Sequence, residues 1–350
     1  MPIAPKAKII SIATAVPKYK INQSDVKELA ARVFGASMSD FSRLAPVYSN
    51  AAIETRYSCV PLEWYEKPCA FSERNKLYQH HAVELLAEAG QKTLEKAQLT
   101  FHDIDGLVVV SSSGIATPSL DALLMEKLHL KRNMERLPIF GLGCGGGVIG
   151  LARTAQLAQG APEKRYLYMV VELCGLDFIH SDCTKSNVIA TALFADGASA
   201  AVISCKGDGA EIIGWGEHTW PNSLDVMGWD VTSDGLRVIF SQDIPSIVRK
   251  DMRGVVDSFL ASQNLGVNDI EDYLCHPGGA KVVDAIEAAL DLPVGRLHHS
   301  RNVLRDYGNM SAATVMFVLE AALHSPRAGK YLMSSFGPGF SAGLVLLQVP

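Results

Sequence analysis

Basic clusters, paired metal-type cysteines and long apolar runs are all scarce in this chain. Its 350 residues carry 32 Lys and Arg against 37 Asp and Glu, for a formal net charge of -5, and the densest basic spots, such as Lys131-Arg132, are short. A strongly basic nucleic-acid binder is thereby excluded, although an anionic small molecule could still be held by local positive charge. No apolar stretch reaches the roughly 18 to 20 residues that cross a bilayer. The N-terminal run 6–13 is brief and stops at Pro17, so it reads as a first strand and not as a signal sequence. The cysteines, at 59, 69, 144, 174, 183, 205 and 275, form an odd set with no C-x-x-C pair. That pattern argues against a disulfide framework or a zinc knuckle and for reduced thiols in a cytoplasmic protein. His80-His81 and His298-His299 are adjacent but lack evident ligand partners, so no metal is expected. What remains, 48% hydrophobic and 20% charged residues, is ordinary soluble globular composition. The length suits two domains or one large two-part fold.

Glycine, by contrast, is concentrated around one thiol: Gly141-Leu142-Gly143-Cys144-Gly145-Gly146-Gly147. An apolar segment, 137–140, leads in, and Val148, Ile149, Leu151, Ala152, Ala155 and Leu157 follow at helical spacing, which predicts strand, turn and then a helix with one buried face. At a helix N-terminus the unpaired N–H groups and the dipole favour thiolate, and glycines leave room for a substrate carbonyl beside the sulfur. Two other readings stay open at this point. A small buried cysteine at a tight turn would look the same. Gly141, Gly143 and Gly146 also spell G-x-G-x-x-G, a dinucleotide pattern of nicotinamide-binding oxidoreductases that asks for an acidic residue about 20 positions on. Glu172 lies 172 - 146 = 26 residues beyond Gly146, at the end of the strand-like run 166–171.

Segments of the first half recur in the second. Residues 103–109 resemble 269–275, an offset of 269 - 103 = 166, and 140–158 resembles 307–323, with Cys144 and Asn309 standing 309 - 144 = 165 apart. Tyr166 and Tyr331 are again 165 apart, whereas 197–203 matches 339–345 at 339 - 197 = 142, which places an insertion between Cys174 and Ala190. Buried strands followed by helical patterns predict an α/β protein of two similar halves, 1–206 and 207–350, with helices on both sheet faces. Cys144 and Asn309 should then face each other where the halves meet, and a site is expected there.

The run Cys275-His276-Pro277-Gly278-Gly279 presents His276 at a strand end, where an imidazole can hold a proton near neutral pH. Asn309 opens a helix either as an N-cap or as an amide donor aimed at developing negative charge. Cysteine, histidine and asparagine in this order on two similar halves resemble the thiolase-fold condensing enzymes, and within them the type III polyketide synthases, the chalcone synthase relatives. The resemblance covers nearly the whole chain and rests on 141–147, 275–279, Tyr307-Gly308-Asn309-Met310-Ser311, 192–198 and Phe336-Gly337-Pro338-Gly339. Ketoacyl synthase III, which uses an acyl carrier protein, is similar in fold and triad. It typically sets its histidine in a His-Gln-Ala-Asn context, unlike His276-Pro277-Gly278-Gly279.

The resemblance implies a thiolase fold with a layered α-β-α-β-α core, a homodimer with 113–118 near its interface, acyl-CoA and malonyl-CoA as substrates, and no cofactor. It implies that Cys144 carries the acyl chain, that His276 holds it as thiolate, and that His276 and Asn309 cradle the enolate left by malonyl decarboxylation. Phe194 matches a gatekeeping phenylalanine. A second gatekeeping phenylalanine of plant enzymes falls on Val238, which suggests a wider passage. Cys174, Asp177 and Trp229 fall at or near positions that shape the plant cavity, and Ser311 and Gly279, beside the triad in its motifs, join them as substrate contacts. The plant cluster that grips CoA phosphates is poorly retained, with Arg43 and Arg56 as replacements. Segments 172–176 and 227–230 resemble bacterial and fungal enzymes that make alkylpyrones and alkylresorcinols from fatty acyl-CoA.

Overall fold

Five consecutive residues without a polar side chain, Gly-Leu-Val-Val-Val at 106–110, require a strand covered on both faces. The computed structural model describes residues 5–35, 38 and 41–350, and the first four residues of the expected 1–206 half lie outside the described residues. The first half runs β1 (Lys8–Ala15), β2 (Tyr19–Asn22), α1 (Gln23–Gly35), α2 (Phe41–Leu44), α3 (Pro46–Asn50), β3 (Thr55–Ser58), α4 (Phe71–Lys96), β4 (Gly106–Val110), α5 (Leu120–Lys127), β5 (Glu135–Ile139), α6 (Gly146–Gly160), β6 (Arg165–Leu173), α7 (Lys185–Leu193) and β7 (Asp196–Ser204). The second runs β8 (Ala210–Thr219), β9 (Met227–Thr232), β10 (Gly235–Phe240), α8 (Ile244–Ser262), β11 (Asp272–Cys275), α9 (Ala280–Ala289), α10 (His298–Tyr307), α11 (Thr314–His324), β12 (Gly329–Gly337) and β13 (Ser341–Val349).

The main sheet has the order β11-β12-β13-β8-β1-β7-β6-β4-β5. Its two arms repeat one plan. In each, a parallel pair (β4 with β6, β11 with β12) is followed by antiparallel partners (β7 and β1, β13 and β8). Among the described residues the arms pair through the short β1–β8 contact, Lys8↔Glu211 and Ile9↔Ala210.

Alternation along each strand builds the layers. Leu107 and Val109 of β4 pack with α4 and α5, whereas Val108 and Val110 face α6. In the second arm, Tyr273 and Leu332 pack with α8 and α9, while Leu274 and Met333 turn toward α11. Helices α6 and α11 therefore lie between the arms, and the five-layer thiolase arrangement follows from strands that are apolar on both faces. The insertion also appears: residues 174–195 separate β6 from β7, where only 338–340 separate β12 from β13.

Two details of the repeat are corrected. Glu172 pairs with Gly197, and Gly337, 337 - 172 = 165 residues on, pairs with Ser341, so Gly197 corresponds to Ser341 at 341 - 197 = 144 instead of 142. The chain also enters α6 through a 3-10 turn at Gly143–Gly145 and α11 through one at Ser311–Ala313, an offset of 311 - 143 = 168. Both turns begin at positive φ, +47° at Gly143 and +45° at Ser311. The backbone mate of the cysteine turn is thus the Ser311 turn, and Asn309 belongs to the bend before it.

Candidate active site

Cys144 sits in the Gly143–Gly145 turn, buried, with its Sγ 3.4 Å from Ser311 Oγ of the second half. Two of the glycines around it serve the seam between the halves. A Cβ on Gly147 would lie 2.3 Å from the Ala312 carbonyl oxygen, and one on Gly143 would lie 2.7 Å from Pro338. The same packing removes the dinucleotide reading, because Gly146 at the head of α6 is buried against Val110 and Ala312. Glu172, its ribose candidate, is fully buried and accepts the Ser112 N–H at 3.0 Å.

His276 follows β11 directly, and its N–H donates to Ser334 of β12 at 2.8 Å. Its ring is buried, and neither ring nitrogen has a partner among the described residues. An imidazole held this way costs stability unless something else uses it, which marks a functional group. Asn309 is fully buried and fixed through its oxygen: Oδ1 accepts the Ser311 N–H at 2.9 Å, so the amide nitrogen faces the histidine loop and donates to the Gly278 carbonyl at 3.1 Å. The oxygen therefore holds the start of the Ser311 turn, and the amide nitrogen ties that turn to the histidine loop. The contacts close a ring, from Cys144 to Ser311, along the chain to Asn309, across to Gly278 and so to His276. It returns through Ser335 of β12, whose hydroxyl donates to the Gly145 carbonyl at 3.3 Å.

Burial dominates the electrostatics. It pushes the Cys144 thiol up to about 12, with the Ser311 hydroxyl pulling the other way, and pushes the His276 imidazole down to about 3. Burial thus opposes charge on the thiol and on the imidazole when each is taken singly. Burial likewise raises Glu172 to about 7. Sequence reading missed Glu172 as part of this centre, although one acid at the end of the apolar run Tyr-Leu-Tyr-Met-Val-Val was a usable signal.

The remaining expected residues separate into two groups. Phe194, Trp229, Val238, Cys174 and Asp177 line one apolar pocket, which continues beneath α1 past Val26, Ala30 and Phe34. Its inner end reaches the centre twice: Phe194 bridges to Asn309, and Trp229 Nε1 donates to the Ser112 carbonyl at 2.8 Å, while Ser112 Oγ accepts the Gly143 N–H at 3.2 Å. Val238 does not widen the passage alone, because Trp229 is its cross-strand neighbour and stands edge-on to Phe194, ring centroids 6.4 Å apart. Asp177 is half-buried, with its Oδ2 buried and unpartnered, and desolvation first, then Glu172, raises its carboxyl well above the usual range.

Gly279 caps α9 and would carry a Cβ toward Leu193, a structural placement. Arg56 departs from its expected role. It is buried, and its guanidinium donates to Gln23 and to the carbonyls of Thr191, Ala192 and Phe194, so it secures the end of α7 and offers no free charge to a CoA phosphate. Arg43 is exposed on α2. His298 and His299 do gain a third neighbour, Asp272, with ligand atoms within 4.8 Å, but Arg296 already holds that carboxylate at 3.0 Å. No helix among the described residues is long and apolar enough to cross a membrane.

Comparison with known proteins agrees with this geometry. The family model for chalcone and stilbene synthases matches in both parts, its N-terminal domain over residues 3–207 and its C-terminal domain over 216–350. A putative chalcone synthase of Bacillus subtilis (strain 168) is 37% identical, with 98% of each chain covered. The 1,3,6,8-tetrahydroxynaphthalene synthase of Streptomyces peucetius subsp. caesius is also 37% identical, over 97% of this chain and 92% of its own. Among solved structures, PKS-I from the brown alga Ectocarpus siliculosus superposes with a TM-score of 0.91 at 27% identity, covering 99% of this chain and 98% of that one.

Proposed function

Because the chain belongs to the chalcone and stilbene synthase family and is a type III polyketide synthase, hence an acyltransferase, we propose that it extends a fatty acyl-CoA starter with two or three malonyl units and closes the product to an alkylpyrone or alkylresorcinol. In this reading Cys144 Sγ attacks the starter thioester, its proton passes to His276, and CoA leaves as the thiol. Neither charge is favourable alone in so buried a site, but proton transfer makes both together, and each offsets the desolvation of the other. Malonyl-CoA then loses CO2, and the enolate oxygen receives N–H donors from His276 and the Asn309 amide. The enolate carbon attacks the Cys144-bound acyl carbonyl, releasing the sulfur for the next transfer. Holding the chain covalently makes each extension a local reaction.

The observation that carries the chemistry is the buried imidazole without a partner, facing the same seam as a thiol and an oxygen-fixed amide. Support for a long starter comes from the apolar pocket that leads from Phe194 and Trp229 to the underside of α1. The reading asks for no cofactor beyond the CoA thioesters, with Arg43, exposed on α2, left as the expected phosphate contact. We read the protein further as a cytoplasmic homodimer contacting through 113–118, where Ile115 is exposed, with its seven thiols free.

Purified protein given malonyl-CoA without carrier protein and an acyl-CoA series from acetyl to stearoyl tests this by mass spectrometry of products. Long-chain starters should give the highest kcat/KM. Turnover confined to short or aromatic starters, or formation of a tetrahydroxynaphthalene, the product in the Streptomyces relative's name, would remove the fatty starter. Dependence on an acyl carrier protein would favour a ketoacyl synthase III-like enzyme, and absence of any product would favour a non-catalytic acyl-CoA binder.

A further inference from the structure

We propose that Arg74, outside the pocket lining, is a positioning residue for starter selection, tying the 174–179 turn to the β9–β10 hairpin and so fixing the spacing of two pocket walls. Arg74 lies in the first turn of α4 and is 3% exposed. One guanidinium nitrogen, Nη1, donates to the carbonyls of Leu176 and Phe178, and the other, Nη2, to the carbonyl of Asp234 at the tip of the hairpin. The first two carbonyls belong to the segment that carries Cys174 and Asp177, and the third to the hairpin that carries Trp229 and Val238.

The hairpin needs such a tie. It forms a two-stranded sheet of its own, outside the main sheet, and an isolated pair of strands is marginal in water. Its middle is held by Trp229 Nε1 on the Ser112 carbonyl, and its tip by Arg74. The tip leaves no room for a side chain over the guanidinium: Gly235 has φ +123°, and a Cβ there would lie 2.7 Å from Nη2. A planar fork reaches carbonyls on both walls at once, which the single ammonium of a lysine cannot reproduce.

The proposal rests on the reading that this pocket holds the starter, and the test separates the two. Arg74→Gln and Arg74→Lys are compared with wild type by hydrogen exchange without substrate, by kcat/KM across the acyl-CoA series, and by malonyl-CoA decarboxylation. In Arg74→Gln, amide exchange in 174–179 and 227–240 should rise about tenfold, the size of a lost charged hydrogen bond, with the rest of the chain unchanged. The long-to-short starter ratio of kcat/KM should fall about tenfold while decarboxylation stays within about twofold, and Arg74→Lys should recover part of the ratio. Unchanged exchange, exchange rising throughout the chain, or decarboxylation falling as steeply as the ratio would overturn it. If wild-type protein shows no preference for long starters, the starter reading fails, and exchange alone then decides the role of Arg74.

Discussion

The turns that open α6 and α11 have nearly the same backbone and unlike chemistry. Each is a single 3-10 turn that begins at positive φ and feeds a central helix, but one carries Cys144 among glycines and the other Ser311 beside Asn309. The two touch, Sγ to Oγ at 3.4 Å, because both helices are sandwiched between the sheet arms. The repeat places two equivalent junctions at one seam. In the proposed reading one of them carries the nucleophile, and the other, with the neighbouring histidine loop, the donor cradle.

The comparison breaks most sharply at the thiol. Cys144→Ala should lower condensation by more than about a thousandfold in a steady-state product assay, with melting unchanged, since the unit that carries the acyl chain is lost. Asn309→Ala on the other turn should cost about a hundredfold to a thousandfold in kcat by removing one donor, and it should also lower stability by about 1 kcal/mol because Oδ1 caps the Ser311 turn. Equal losses from the two variants would contradict the division of labour. The seam itself is tested by Gly147→Ala, whose methyl must displace the Ala312 carbonyl; about 2–3 kcal/mol of stability should be lost in denaturant titration.

A pH effect is the smallest expected. Burial raises the folded-state pKa of Glu172 from the ordinary 4.5 to about 7, so its contribution is fully present below pH 4.5 and is lost as pH rises through 7. Glu172→Gln cannot ionise and should flatten the fall in stability between pH 5 and pH 8 by about 2–3 kcal/mol at most. Asp196, raised to about 6 by burial, leaves a residual fall of the same sign. Glu172→Gln with the full wild-type slope would show that another acid carries it.

Much of this was legible in the chain because it lies in local pattern. Apolar strands such as 106–110 and 166–171 announced a doubly covered sheet, the near-constant offsets announced two halves, and Cys144, His276 and Asn309 each stood in a glycine-marked turn. Close approach of distant segments was not legible. Sequence could not show that Gly147 meets Ala312, that Trp229 lies across from Val238 and edge-on to Phe194, or that Arg56 is consumed by the carbonyls ending α7. Similarity of composition also misaligned the two turns, because the bend Gly308-Asn309-Met310 precedes the true mate of the cysteine turn. Arg74 lacked a local signal altogether, being one arginine in the first turn of an ordinary amphipathic helix.

If one thiol among seven carries the chain, peptide mass spectrometry after incubation with a long acyl-CoA, malonyl-CoA omitted, should find a single acyl group on the peptide containing 141–147, absent in Cys144→Ala. Acylation of Cys174 in the pocket wall, or of any residue other than Cys144, would contradict it.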